Sequence, residues 1–230
     1  MSRLLSLAAL AALALLSACG PSHQLARYDF AGKEFMFRPV VASDASRVRI
    51  DIENPTPGGT VGALVSGIGS DLLSGGAESK LHNAVRPIGV ASAINSGVQR
   101  TVETYLSGTG VDAAGERTDF VVETVLRQCD VVSRATGVFL RVEALCMLID
   151  RRTGEEIWDE AEAVTSTITF TPSGAVPVPG VATAASVVNA VRFFAMSEKE
   201  IQDAVLAAAT DVGEVIGRRL REDYAGSRKR

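Results

Sequence analysis

Residues 119–170 read DFVVETVLRQCDVVSRATGVFLRVEALCMLIDRRTGEEIWDEAEAVTSTITF, and this stretch decides the fold. Three runs rich in β-branched and other apolar residues predict strands at 119–132, 138–150 and 156–170. Short polar links containing Gly137 and Gly154 separate the runs, and links of that length join antiparallel neighbours. The sequence therefore predicts an antiparallel meander of three strands.

The register of the first two strands determines where two of the three cysteines point. We predict that Arg127 lies opposite Glu143, which makes a favourable cross-strand charge pair. In that register Cys146 faces the core, whereas Cys129 faces the other side of the sheet. The sequence therefore predicts two free thiols, although a slip of one residue would reverse this result.

Weaker patterns precede the meander. Two short runs, 35–41 and 48–52, predict strands that form an edge hairpin. Residues 77–85 predict a short helix that ends before Pro87, and residues 92–106 predict a longer helix with apolar side chains at helical spacing. We expect the apolar face of the longer helix to cover the sheet.

The clearest helix signal lies near the end of the chain. Ser197 followed by Glu200 forms a capping box, which is a common start of a helix. One apolar face then continues through Ile201, Val205, Ala208, Val212, Val215 or Ile216, and Leu220. The sequence thus predicts an α+β fold, an antiparallel meander sheet with amphipathic helices packed on one face. We assign it to a single domain over 33–224 with a basic tail over 225–230.

Two segments contain no charged residue, 54–70 and 163–191. In the first, small residues recur four apart, a spacing that permits close helix packing, but a flexible glycine-rich loop is the simpler interpretation. Prolines interrupt the second segment, and residues 181–191 predict a short apolar helix. We predict that the second segment is buried in the fold, in an oligomer or against a membrane.

Composition limits the classes of function. The chain is 47% hydrophobic and 22% charged, which indicates a packed core, and a net charge of −4 without a basic stripe argues against nucleic acid as a partner. No serine-nucleophile elbow, phosphate-binding loop or metal-binding motif is present. We therefore predict no enzyme, no cofactor and no metal site. His82 is predicted to lie on the surface.

One acidic cluster offers an alternative function. It consists of Glu155, Glu156, Asp159, Glu160 and Glu162. A pair of carboxylates could hydrolyse a glycoside, as an envelope hydrolase acting on peptidoglycan would require. The simpler interpretation is that these residues form the solvated start and face of the third strand, since charge runs usually face water.

The first residues have the three-part layout of a secretory signal. Arg3 supplies a positive start, residues 4–16 are apolar, and Leu16-Ser17-Ala18-Cys19 closes the segment. The apolar run is shorter than the roughly 20 residues that a membrane-spanning helix needs. We therefore expect a lipoprotein signal peptide over 1–18 that is removed, followed by a lipidated N-terminus and tether over 19–32.

The tetrapeptide that ends at Cys19 resembles the bacterial lipobox. That resemblance implies a lipid on the cysteine sulfur and an anchor on a membrane outside the cytoplasm. Gly20 follows the cysteine where an Asp would favour retention in the inner membrane. By the same resemblance we expect the periplasmic side of the outer membrane.

The order of elements also resembles a known group of envelope domains. Over residues 92–224 a helix, three strands and a closing amphipathic helix follow one another, and the second hairpin carries Thr153-Gly154-Glu155 with Trp158 behind it. This arrangement resembles the domain shared by the amino-terminal part of TolB, the curli-secretion channel lipoprotein and the lipoprotein activators of penicillin-binding proteins. Auxiliary lipoproteins of envelope lipid transporters have a similar arrangement.

The resemblance implies a non-enzymatic, membrane-anchored accessory or binding module for cell-envelope assembly, secretion or transport. Its expected partners are envelope proteins, with self-association as a further option. One alternative is an oligomeric ring or pore-forming secretion lipoprotein, in which residues 168–191 supply membrane or subunit contacts. The other alternative is the envelope hydrolase considered above.

Overall fold

This computed structural model describes residues 24–53, 76–111, 118–170 and 181–229. They include one mixed sheet of six strands and four α-helices. The strands are β1 (Glu34–Val41), β2 (Arg49–Ile52), β3 (Thr109–Val111), β4 (Phe120–Arg134), β5 (Gly137–Asp150) and β6 (Glu156–Phe170). The helices are α1 (Ala77–Ala84), α2 (Pro87–Tyr105), α3 (Val181–Ala195) and α4 (Glu198–Ser227). The predicted α+β class is confirmed, and the strand order is β3-β1-β4-β5-β6 with β2 beside β4.

The predicted meander is confirmed as β4, β5 and β6, each antiparallel to the next. A tight turn joins β5 to β6 at the polar residues that follow Asp150. The carboxylate Oδ1 of Asp150 accepts hydrogen bonds from the backbone N–H groups of Arg152 (2.8 Å) and Thr153 (3.2 Å). Gly154 has a φ of 72°, a conformation that glycine adopts without steric cost. The local sequence thus closes this hairpin by itself.

The two strands before the meander do not form the predicted hairpin. β1 pairs in parallel with the first half of β4, and β2 pairs in parallel with the end of β4, so both lie along one edge of that strand. A 3-10 turn at Ser43–Ala45 separates them without reversing the chain. The prediction was wrong because β4 offers a hydrogen-bonding edge of 15 residues. Two parallel segments in succession satisfy more of that edge than one strand of a hairpin would.

A β-bulge changes the predicted register in the second half of β4. The pairing is as predicted up to Leu126, after which Arg127 is the extra residue and Gln128 faces Glu143. Because the bulge shifts the alternation of side chains by one residue, Cys129 points into the core. The predicted outward orientation of Cys129 was therefore wrong.

Cys129 and Cys146 are nevertheless both free, as predicted. Cys129 lies opposite Val142 of β5, four residues before Cys146 on that strand. Four residues of strand span about 13 Å, which is too far for a disulfide. Burial raises the pKa of each thiol to about 12, so both stay protonated at neutral pH.

All four helices contribute side chains to one hydrophobic core against one face of the sheet. The largest fully buried side chains include Trp158 of β6, Phe193 of α3 and Ile201 of α4. The capping box of α4 is confirmed, since Ser197 Oγ accepts the N–H of Glu200 at 3.3 Å and Glu200 accepts the N–H of Ser197 at 2.7 Å. The core predicted from the apolar periodicity is therefore present.

Helix α2 begins five residues earlier than predicted, at Pro87. Proline suits the first position of a helix because its fixed φ is helical and its missing N–H has no acceptor there. The sequence pattern predicts only the end of the preceding helix at Pro87 and does not identify this proline as the start of the next one.

Helices α2 and α4 run parallel and touch through glycines. A Cβ on Gly97 would lie 2.2 Å from the carbonyl oxygen of Thr210, and one on Gly213 would lie 2.0 Å from that of Ile94. Only glycine permits backbones to approach so closely. The predicted small-residue segment 54–70 lies outside the described residues, so the close helix contact that the structure shows occurs elsewhere.

The packed fold includes residues that were predicted to be tether. Leu25 and Phe30 are fully buried, and the ring of Phe30 packs 5.1 Å from that of Phe120 and 4.9 Å from that of Tyr224, measured between centroids. The predicted domain start at residue 33 therefore lies too far along the chain. Aromatic packing draws the preceding residues onto the core.

Candidate interaction surfaces

The point where the chain enters the fold limits where an anchor could hold it. The hydroxyl of Tyr224, near the end of α4, donates a hydrogen bond to the backbone oxygen of Tyr28 over 3.4 Å. The first described residues, up to Tyr28, therefore lie near that end of α4. Cys19 and the predicted signal segment lie outside the described residues. From Cys19 to Gln24 the chain spans at most about 18 Å, so a lipid on Cys19 would keep this end close to a membrane.

The other side of the sheet does not share in the helix-covered core. The core cluster contains residues of all four helices but none of the side chains on the other side of β4 and β5. That side includes a strip of apolar residues, mostly half-buried, which we call the open face. Its members are Met36, Val40, Val121, Val125, Leu145, Met147 and Ile149. Toward the β4–β5 turn, Val132 on the same side is fully buried. An apolar strip that stays accessible is typical of a surface that binds another molecule.

Ion pairs lie on the same side as the open face. Arg38 of β1 pairs with Glu123 of β4 beside the apolar strip. Toward the β4–β5 turn, Arg141 Nη2 lies 2.8 Å from Asp130 and 3.3 Å from Asp51. The Asp130 side chain is almost fully buried, and its hydrogen bond raises the pKa of Arg141. The apolar strip thus has a fixed polar surround, as binding surfaces commonly do.

A second surface is a groove of about 210 Å³ between α2 and α4. Arg100 of α2 pairs with Glu214 of α4, and the guanidinium of Arg221 lies 4.7 Å from the ring centroid of Tyr105. Arg218 also lines the groove and has no ion-pair partner within the described ranges. Three arginines and one glutamate favour an anionic group at this position.

The outer edge of β6 is the third surface. Among the described strands, only β5 pairs with β6, so one side of this 15-residue strand has no β-sheet partner there. Acidic residues occupy its first half, but its second half contains none. In that second half Ala163, Thr165 and Thr167 are exposed and alternate with the partly buried Val164 and Ser166. We call residues 163–169 the uncharged edge.

The rest of the uncharged segment 163–191 divides between buried and exposed positions. Residues 171–180 lie outside the described residues, and the short apolar helix predicted over 181–191 is confirmed as part of α3. Phe193, two residues beyond the uncharged segment, and Ala190 are buried, whereas Val188 is 46% exposed. Burial in this fold therefore accounts for only part of the segment.

The acidic cluster lies along the turn and the first half of β6. Glu160 and Glu162 share one side of the strand, and Glu162 accepts a hydrogen bond from Arg219 Nε at 3.0 Å. Desolvation, together with Glu162 and Asp223 nearby, raises the pKa of Glu160. Because Arg219 of α4 already forms an ion pair with Glu162, the arrangement resembles a structural ion pair more than a pair of catalytic acids.

His82 and the described helices show no further site of the kinds considered from the sequence. His82 is exposed on α1, as predicted. Within the described ranges, no group of three or more histidine, cysteine or acidic side chains could hold a metal ion. Among the described helices, none combines the length and the hydropathy that crossing a bilayer would require.

Neither the open face nor the arginine groove was predicted from the sequence. Buried and half-buried residues alternate along β5, and this pattern could have indicated a second, accessible face of the sheet. The groove depends on α2 and α4 lying side by side and parallel, which brings Arg100 near Arg218 and Arg221. Their positions along the chain gave no such signal.

Comparison with known proteins gives similarity in arrangement only. No family model matches the sequence, and no curated protein matches it. A solved structure of a Xanthomonas campestris protein from the DUF330 family is 14% identical, with 88% of this chain and 90% of that one covered and a TM-score of 0.42.

Two further structures are similar at lower scores. A Caulobacter crescentus protein described as a lipoprotein is 17% identical over 58% of this chain and 84% of its own, with a TM-score of 0.31. PelC from Paraburkholderia phytofirmans, crystallised as a dodecamer, is 11% identical over 75% and 88%, also with a TM-score of 0.31. At these values the likeness does not extend to function. The resemblance of residues 92–224 to the TolB group stays a prediction.

Proposed function

We propose that this chain is a lipoprotein of the bacterial cell envelope, anchored by lipid on Cys19 at the periplasmic side of the outer membrane. Its domain acts as a non-enzymatic accessory or binding module in envelope assembly, secretion or transport. The observation that carries this proposal is the one-sided fold. The helices and the core stabilise one face of the sheet, and the open face remains accessible to an envelope partner.

The position of the first described residues supports the anchor. Leu25–Arg27 contact α4, and Tyr28 accepts a hydrogen bond from Tyr224 near the end of that helix. A tether of at most about 18 Å connects Gln24 to Cys19. A membrane-bound lipid at that end would leave the open face unobstructed along the side of the domain. Two or three acyl chains, each contributing about 0.8 kcal/mol per buried methylene, make such anchoring effectively permanent.

The anchor is tested by intact mass and membrane fractionation of the native protein beside a Cys19→Ala variant. We expect a lipid mass increment and membrane association in the native protein, and the loss of both in the variant. Separation of inner from outer membranes then tests the location. A soluble native protein without added mass would contradict the anchor.

The binding role is tested on the open face by a Leu145→Arg substitution in the anchored protein. Leu145 is half-buried on that face, so an arginine there should leave folding intact and disrupt a docked partner. Ser92→Arg, on the exposed side of α2, is the matched control. We expect in-cell crosslinking to an envelope protein to be lost in Leu145→Arg and retained in Ser92→Arg. Equal crosslinking in both variants would rule out the open face as the binding surface.

A second candidate is an oligomeric ring or pore-forming secretion lipoprotein. The exposed Val188 of α3 and the uncharged edge of β6 favour it, because both leave surface of the uncharged segment 163–191 accessible. Oligomers that grow with concentration and disappear on deletion of residues 171–180 would support this candidate.

The envelope hydrolase has less support because Arg219 already pairs with Glu162. Its test is Glu160→Gln with Glu162→Gln, which should leave the cellular phenotype unchanged.

A further inference from the structure

The uncharged edge, residues 163–169 of β6, is an unusual end for a sheet. Backbone N–H and C=O groups at the outer side of an edge strand lack the partners that an inner strand provides, and they form a template for another strand. Natural edge strands are generally protected by charged side chains, by proline or by a bulge. The first half of β6 has such charges, in Glu156, Asp159, Glu160 and Glu162. Residues 163–169 have neither a charge nor a proline, and the one register shift against β5 there falls at Ile168, near the end.

We propose that the uncharged edges of two copies of this chain pair antiparallel around Ser166, which joins their sheets across a two-fold axis. The proposal goes beyond the anchored binding module and does not depend on the lipid. We infer a second copy as the occupant because an identical β6 has the same uncharged half to pair with. Its acidic half then restricts the pairing to one direction, the antiparallel one.

Charge repulsion selects the antiparallel direction. In a parallel, in-register pair, Asp159, Glu160 and Glu162 of one copy would lie directly beside the same residues of the other, which is destabilising. In the antiparallel pair centred on Ser166, the acidic halves extend away from the overlap in opposite directions. The two β6 strands then overlap over residues 162–170, with Glu162, ion-paired with Arg219, at each end and seven uncharged residues between. Asp211 of α4, which accepts a hydrogen bond from Ser166 over 3.5 Å, adds one carboxylate per copy near the axis.

The side chains also match in this register. Val164 of one copy lies opposite Ile168 of the other on the helix side, where both residues already pack against the core cluster. On the other side, Thr165 lies opposite Thr167, and threonine pairs across antiparallel strands are favourable. Each contact occurs twice because of the two-fold axis. The bulge at Ile168 lies outside the central residues 165–167, so we expect the pairing to be most regular there.

The expected dimer is weak in solution and stronger on a membrane. Seven residues of paired strand form an interface at the small end of the range for specific complexes. Anchoring two copies to one membrane raises their effective concentration and so promotes pairing. The tether of about 18 Å leaves each domain room to lie with its strands along the membrane.

Cysteine crosslinking in the mature protein, bound to phosphatidylcholine vesicles, tests the pairing and its register. Single variants Thr165→Cys and Thr167→Cys are prepared separately and then mixed under mild oxidation. We expect the mixed disulfide to exceed either homodimer by about tenfold, because directly opposed residues lie within disulfide reach and diagonal ones, at about 7–8 Å, do not. The buried native thiols of Cys129 and Cys146 should not react.

Ala161→Cys is the matched crosslinking control, since Ala161 is exposed on the same side of β6 but outside the uncharged edge. It should give little dimer. Sedimentation of the same protein without oxidation provides a second measurement. We expect Thr165→Lys to weaken self-association at least tenfold, and Ala161→Lys to change it less than twofold.

Any one of three results would overturn the proposal. The first is crosslinking at position 161 as efficient as that between 165 and 167. The second is an excess of the Thr165→Cys homodimer. The third is a monomer at all concentrations with Thr165→Lys indistinguishable from the native protein. If Cys19 carries no lipid, the same comparisons are made in solution in a Cys19→Ser background, which removes that thiol, so failure of the anchor and failure of the pairing remain distinguishable.

Discussion

The two faces of the sheet differ in what they contribute, and neighbouring residues of β5 illustrate the contrast. Leu148 points toward the helices and is fully buried, whereas Met147 points to the open face and remains partly accessible. The first face joins elements distant in sequence into a core. The second holds half-buried apolar side chains beside fixed ion pairs. Stability is thus concentrated on one side of the sheet, and the binding role that we propose lies on the other.

The largest expected effect is a difference between these two neighbours. Leu148→Ala should lower the free energy of unfolding by about 3 kcal/mol, because it removes buried methyl groups and leaves a cavity. Met147→Ala should lower it by about 1 kcal/mol or less, since its side chain keeps contact with water. Urea unfolding of both variants measures the contrast. Similar losses would mean that another part of the chain covers the open face as tightly as the helices cover the core.

The next effect concerns how the helix layer is built. Gly213→Ala should lower the free energy of unfolding by about 2 kcal/mol, because its Cβ would meet the backbone of α2 and force the helices apart. Gly89→Ala is the matched control, since its Cβ would meet only Leu206 at 3.8 Å. Alanine there should be neutral or slightly stabilising, as it favours helix. Thermal unfolding of the two variants separates close packing from helix propensity.

The smallest effect lies at the start of α4, at the rim of the helix layer. Ser197→Ala removes the N-cap and should lower the free energy of unfolding by about 1 kcal/mol at neutral pH.

Glu200, in the same capping box, should make the stability depend on pH. A hydrogen bond from the backbone N–H of Ser197 lowers the pKa of Glu200, so the ionised carboxylate stabilises the fold at pH values above the ordinary pKa of a carboxyl group. This contribution is lost as the pH falls through the lowered pKa. A Glu200→Ala variant should therefore be less stable than the native protein at pH 7 but equally stable in strong acid.

Thermal unfolding as a function of pH checks this last expectation. A Glu200→Ala penalty that persists unchanged in strong acid would contradict the role of the ionised carboxylate. The three sets of variants test the core, the contact between α2 and α4, and the start of α4. Each measures how much the helix-covered side of the sheet contributes to the stability of the domain.

Local signals predicted much of the covered face. The alternation of apolar residues in β4 to β6, the glycine turn after Asp150 and the capping box at Ser197 each depend on near neighbours in the chain. The candidate surfaces were harder to predict because they combine distant segments. Arg100 approaches Arg218 only because two helices pack in parallel, and the ion pair from Arg141 to Asp51 requires β2 to lie beside β4.

The sequence by itself determined the meander, the amphipathic helices and the α+β class, since hydrophobic period and turn chemistry are local properties. Tertiary structure alone decided that β1 and β2 continue in one direction along β4, and that a bulge at Arg127 turns Cys129 into the core. It also decided which face of the sheet stays open. The physical reason is that strand pairing and helix contact depend on the hydrogen bonds and space that remote residues offer, and no local pattern records them.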